Sequence, residues 1–158
     1  VEQVCRGVYR LAEMPPLAHP DLVAVAVRVP RAVICLVSAL AYHDATSEVP
    51  HEVHIALPRR TKPPRLDHPP IRVFWFSGAA LAEGVEVVDL DGVSARMYNL
   101  PKTVVDCFRF RNKLGLDVAI DALNQAVRRK DVRPVDLLRY ARLCRIESVM
   151  LPYVEAVQ

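Results

Sequence analysis

The sequence predicts an α+β fold, a small and mostly antiparallel sheet with a C-terminal group of about four helices. Three observations predict it. Segments with strand periodicity fill the first half and middle of the 158 residues. An Asp91-Gly92 pair separates two apolar runs, and from Asn99 onward the spacing of apolar residues is helical. Strands and helices do not alternate one for one, so a parallel βαβ fold is not expected.

The elements follow in order. Val4, Val8, Tyr9 and Leu11 make residues 4–11 a strand, with too little chain before it for a hairpin partner. Pro15 and Pro16 end it, because proline cannot donate to a ladder. Asp21 to Val27 reads as one or two helical turns. After Pro30, Val33, Leu36, Val37 and Leu40 stand three and four apart, which predicts a buried helix through "RAVICLVSALAYHDAT". The period then changes. "EVHIALP" (52–58) alternates as a strand, and "IRVFWFS" (71–77) is β-branched and aromatic. The proline-rich "RRTKPPRLDHPP" between them is irregular.

Residues 85–90 and 93–100 read as a hairpin, since Asp-Gly suits a primed turn in which both central residues take positive φ. Pro101 fits the first position of a helix, where its missing N–H costs nothing. "KTVVDCFRFRNKL" follows, and Gly115 closes it. "LDVAIDALNQAVRRK" gives a second helix, Pro134 starts a third, and "ESVMLPYVEAV" is a fourth, bent or begun at Pro152.

Composition narrows the class. With 52% hydrophobic and 25% charged residues, the chain is a globular domain rather than a disordered one. No apolar run reaches the roughly 18 residues of a membrane helix. The longest, Ala32 to Tyr42, has the length of a core helix, and Glu2 and Arg6 interrupt any signal-peptide layout. Cys5, Cys35, Cys107 and Cys144 form no C-x-x-C pair and read as free thiols of a reducing cytoplasm. A net charge of +3 is only mildly basic, so any anionic partner must be sought in how the charge clusters.

The sharpest cluster is Arg59, Arg60, Lys62 and Arg65, with Arg72 nearby and only Asp67 opposing. Guanidinium forks bind phosphate bidentately, and the prolines stiffen the loop so that less entropy is lost on docking. An anionic partner, nucleic acid or an acidic protein face, competes here with a simple solvated loop. Arg109, Arg111 and Lys113 form a second cluster, alternating with Phe108 and Phe110. On one helix Arg109 and Lys113 would share a face. Interleaved basic and aromatic residues suit nucleic acid. The competing reading puts the phenylalanines in the core and the cations at the negative helix end. Arg128-Arg129-Lys130 repeats that arrangement at the end of the next helix.

Catalytic readings are weaker. Asp89 and Asp91 share a strand face, with Glu86 opposite, and acidic pairs hold Mg²⁺ in nucleases. The turn already explains Asp91, however, and no Glu-x-Lys follows. His51 and His54, three apart around a strand start, fall on opposite faces and do not converge on a metal. No serine sits in a nucleophile elbow, and five glycines form no phosphate loop. No metal, cofactor or catalytic residue is expected.

Taken together, "RGVYRL", "ICLVSALAYHDAT", "HIALPRRTKPPR", "MYNLPKTVVDCFRFRNKLGLDVAIDALNQAV" and "LLRYARLCRIESVMLPYVEAV" resemble AbiEi-type antitoxins. These are the antitoxin and regulator members of type IV toxin–antitoxin systems linked to abortive phage infection. The resemblance runs over nearly the whole chain, and its most specific parts are the YNLPKTVVDCFRFRNKLG segment and the SALAYH helix. In that family an N-terminal winged helix binds operator DNA and a C-terminal domain supplies antitoxicity. The cognate toxin is a nucleotidyltransferase-like protein of the same operon.

The resemblance implies that Arg6, Tyr9 and Arg10 end a wing. Residues 1–19 would then be a remnant wing strand and linker, and 20–158 the C-terminal antitoxin domain. The recognition helices that precede the wing in the family are not in this sequence, so operator binding is expected to need that N-terminal part. The implied function is a cytoplasmic antitoxin and transcriptional autoregulator, acting by binding without catalysis and without a membrane partner. Its alternative is a metal-dependent nuclease-like domain using Asp89 and Asp91.

Overall fold

The computed structural model describes residues 2–5, 8–10, 17–129 and 132–157, the first two stretches by their main chain alone. Glu2–Cys5 (β1) and Val8–Arg10 (β2) pair antiparallel as a separate two-stranded sheet. Pro20–Arg28 (α1) leads into a five-stranded sheet. Its strands are Val33–Ile34 (β3), Val53–Pro58 (β4), Ile71–Phe76 (β5), Val85–Leu90 (β6) and Val93–Tyr98 (β7), in the order β5-β4-β3-β7-β6. Leu36–Tyr42 (α2) follows β3, and Gly78–Ala82 (α3) joins β5 to β6. The C-terminal group is Leu100–Arg109 (α4), Arg111–Leu114 (α5), Leu116–Val127 (α6), Pro134–Leu143 (α7) and Glu147–Val157 (α8). The α+β class is borne out. Of the five ladders among the described residues, β1–β2, β3–β4 and β6–β7 are antiparallel, while β3–β7 and β4–β5 are parallel.

Period-2 alternation sends side chains to two cores. On one face Ile34, Leu90, Ala95 and Met97 meet Val23 of α1, and Val53, Ile55 and Leu57 meet Val25 of the same helix. On the other, Val33, Ala56, Phe74, Phe76 and Tyr98 face α2, α4, α6, α7 and α8. Helix α4 is the hub of that second face, buried from Lys102 to Phe108. It starts where expected: the Asn99 side chain accepts the Lys102 N–H at 2.9 Å, and Pro101 occupies its first turn. Asp91 and Gly92 take φ of 54° and 90°, the paired positive values that the hairpin turn requires.

Four sequence expectations change. Residues 4–11 are not one strand lacking a partner, because β1 and β2 pair with each other two residues apart, a loop length that hairpins favour. The expected helix after Pro30 begins with β3 instead. Val33 and Ile34 are fully buried between α1 and the helices, and a strand covered on both faces shows a continuous apolar run that mimics a helix stripe. For the same reason Val53 to Leu57 are all buried, so β4 has no solvent face. The first C-terminal helix divides at Phe110, whose ring packs edge-on to Phe74 at 5.1 Å and stacks with Phe76 at 5.5 Å. That contact turns the chain. The fourth expected helix, ESVMLPYVEAV, is α8, which begins at Glu147 and runs through the exposed Pro152.

Candidate functional site

The basic run leaves the end of β4. Pro58 accepts the Thr61 N–H at 3.2 Å, closing a turn over Arg59 and Arg60. Only Arg60, at φ 66°, takes a positive value in that turn, the arrangement of a type II turn that ordinarily holds glycine there. Two further contacts fasten the segment to β5. The Arg59 N–H reaches Phe76 O at 3.1 Å, and Trp75 Nε1 donates to Thr61 O at 2.8 Å. Further along, Leu66 packs against the α1-side core. Arg59, Arg60, Lys62 and Arg65 are exposed and form no ion pair with any described residue. The loop therefore presents four uncompensated cations on an anchored main chain, rather than on a free tether.

The second cluster lies beside the first. On the helix side of β5, Arg72, Phe74 and Phe76 stand in a row by alternation. Above them Arg109 centres 4.7 Å from the Phe76 ring and 4.8 Å from Phe110. Lys113 lies 5.8 Å from both Phe74 and Phe110, and Arg72 lies 5.1 Å from Phe74. Arg109 and Lys113 thus converge through Phe110 even though the helix breaks between them. Phe76 links the two clusters, since its carbonyl holds Arg59 and its ring carries Arg109. Arg111 instead donates to Phe108 O at 2.8 Å, the helix-end role foreseen for these cations.

Arg109 is only partly available. Its side chain is 19% exposed, and it approaches the Asp106 carboxylate at 3.4 Å. Asp106 is fully buried and bonded to an equally buried Lys102 at 2.6 Å, whose ammonium sits 4.0 Å from the centre of the Tyr98 ring. Burial pushes the Asp106 carboxyl above its ordinary range, and the Lys102 and Arg109 charges pull it back. Main chain also closes in, since a Cβ on Gly84 would fall 2.8 Å from Lys102 Cβ. Sequence reasoning missed this pair. Its only signal was a Lys and an Asp four apart on a helix that is otherwise apolar at those turns.

A cavity of about 210 Å³ lies between β4, β5, α5 and the segment before β4. Arg72 and Lys113 line it together with Glu48, Glu52, His51 and His54. Its cations are matched by carboxylates, so the weight of any anion binding falls on the loop. His51 and His54 do not lie on opposite faces as expected. His51 precedes β4, strand alternation does not reach it, and both residues line this one cavity. His54 is buried; its Nδ1 accepts the Val37 N–H at 3.3 Å, and Nε2 points at Glu52 3.6 Å away. Burial lowers its pKa, an effect that Glu52 opposes and Arg72 reinforces.

The remaining candidates stand elsewhere. Asp89 is exposed on β6 opposite Ser94. Asp91 spends one carboxylate oxygen on the Ala18 N–H and the other on the His19 N–H, each at 3.1 Å. The His19 and Ala18 bonds hold its pKa below the ordinary carboxylate value. Tyr9 and Arg10 belong to β2, paired with Gln3 and Glu2, and Arg6 lies outside the described residues. Among the described residues no three of His, Cys, Asp and Glu gather as metal ligands, and no helix is long and apolar enough to cross a membrane. Comparison with known protein families and with curated proteins finds no match for this chain.

Proposed function

We propose that this chain is an antitoxin and transcriptional autoregulator of the type IV toxin–antitoxin class, working in the cytoplasm by binding and without catalysis. The observation that carries the reading is the anchored loop with four exposed cations that no described carboxylate neutralises. Such groups suit the phosphates of operator DNA, which position a protein without specifying sequence. Sequence reading is left to a winged helix of the kind the family carries, so operator binding is strongest when that part is present. The cognate partner is a nucleotidyltransferase-like toxin, opposed directly or through its expression.

Charge reversal tests this. Changing Arg59, Arg60, Lys62 and Arg65 together to Glu is expected to weaken promoter binding or to abolish rescue of cells expressing the toxin. Asp89→Ala is expected to leave both nearly intact, whereas a metal nuclease using Asp89 and Asp91 would lose its effect. If promoter binding and rescue both survive the fourfold reversal at physiological salt, the loop is only a solvated connection and the proposal fails.

A further inference from the structure

A second polar recess lies where α4 begins, beside the end of α6 and the first turns of α7. It has a volume of about 410 Å³, and its lining includes His43, Glu86, Asn99, Arg129, Arg139 and Tyr140. We propose that it binds a phosphate monoester of about mononucleotide size. None of these residues belongs to the basic loop, so the inference does not depend on the proposed antitoxin role.

The donors are held in place by contacts with the surrounding chain. Tyr140 is buried, and its phenolic oxygen accepts from Asn99 Nδ2 at 3.0 Å, which leaves its own O–H to donate. Asn99 is held in turn as the N-cap of α4, accepting from the Lys102 N–H. The Arg139 guanidinium lies 4.5 Å from the Tyr140 ring centre, is exposed, and forms no ion pair with any described residue. Arg129 Nη1 donates to His43 O at 2.8 Å, and His43 Nε2 lies 3.0 Å from Tyr98 O. Two guanidinium groups and a hydroxyl thus line one recess at the positive end of α4. Planar guanidinium forks match phosphate oxygens.

The carboxylates indicate the other half of the ligand. Asp136 is occupied by Arg133, which donates to its two oxygens at 3.1 and 3.3 Å. Glu86, exposed on β6 and lining the same recess, forms no ion pair with any described residue and is the acceptor assigned to a hydroxyl or amino group of the ligand. The recess is too large for a bare phosphate, and its volume lies within the roughly 300–1,000 Å³ of small-molecule sites.

Isothermal titration of the chain with AMP, ribose 5-phosphate, inorganic phosphate and adenosine tests the proposal. AMP and ribose 5-phosphate are expected to bind saturably, inorganic phosphate more weakly and adenosine not at all. Arg139→Gln should weaken both esters at least about tenfold, the effect of losing a charge-assisted hydrogen bond. Arg139 is exposed, so an unchanged melting temperature should show that this variant folds. Glu86→Gln is a second probe, and it should weaken the esters while leaving inorganic phosphate unchanged. Reversal of the basic loop should leave all four titrations unaltered. The proposal is overturned if neither ester saturates, or if adenosine binds as tightly as AMP. It is equally overturned if inorganic phosphate matches the esters, or if Arg139→Gln changes nothing.

Discussion

At the scale of single residues, Arg60 places a large side chain where the main chain favours glycine. Its φ of 66° strains an L-residue by about 1–2 kcal/mol, part of which glycine would lose again as unfolded-state entropy. Arg60→Gly is therefore expected to raise unfolding free energy by about 0.5–1 kcal/mol in urea, while weakening the anionic partner. A variant that is less stable than the parent would contradict this. His54 offers a pH signature. Its pKa is lowered in the folded state by burial, so the unfolded chain takes up a proton first as pH falls through about 6.5. Its contribution to stability is complete above that value and is lost as pH drops below it, by up to about 1.4 kcal/mol per pH unit. In His54→Asn the amide oxygen can still accept the Val37 N–H, and the slope between pH 7 and 5 should flatten. An equal slope in both proteins would assign the dependence to other groups. Neither residue advertises its role in sequence, because φ at Arg60 and burial at His54 are set by distant contacts.

Among the elements, α4 depends most on a single polar pair. Lys102 and Asp106 satisfy each other inside an apolar helix face, where either charge alone would be costly. Lys102→Met leaves the carboxylate buried beside Arg109 only, and denaturant unfolding should report a loss of about 3–5 kcal/mol. A loss below about 1 kcal/mol would mean that the pair contributes little to holding α4 in place. Local signals at this scale were easy to read. The Asp91-Gly92 turn, the Asn99 cap with Pro101, and the proline-rich connection from 59 to 70 all act within a few residues of themselves. The misread elements were decided elsewhere. Val33 and Ile34 become a strand because β4 and β7 flank them, and the helix breaks at Phe110 because β5 supplies rings for it to pack on. Hydrophobic spacing along a short apolar run cannot distinguish those outcomes.

For the whole molecule, the two basic clusters stand far apart in sequence yet meet around Phe76. Each cluster was legible by composition, but their adjacency needs the parallel β4–β5 ladder and the packing of α4 on β5. The charge balance at Glu48 and Glu52, and the capture of Arg109 by Asp106, were not legible for the same reason. Of these two clusters, the 59–65 run remains exposed and without an ion pair to any described residue, and the proposed function rests there. The direct measurement is a mobility-shift titration of the promoter DNA at about 50 and 200 mM salt, comparing the parent with the fourfold Glu reversal. Each phosphate contact adds about 0.9 to the slope of log affinity against log salt. The parent is expected to show a steep slope, and the reversed protein weaker binding with the slope reduced by roughly three to four. Equal affinity and equal slope in the two proteins would contradict it.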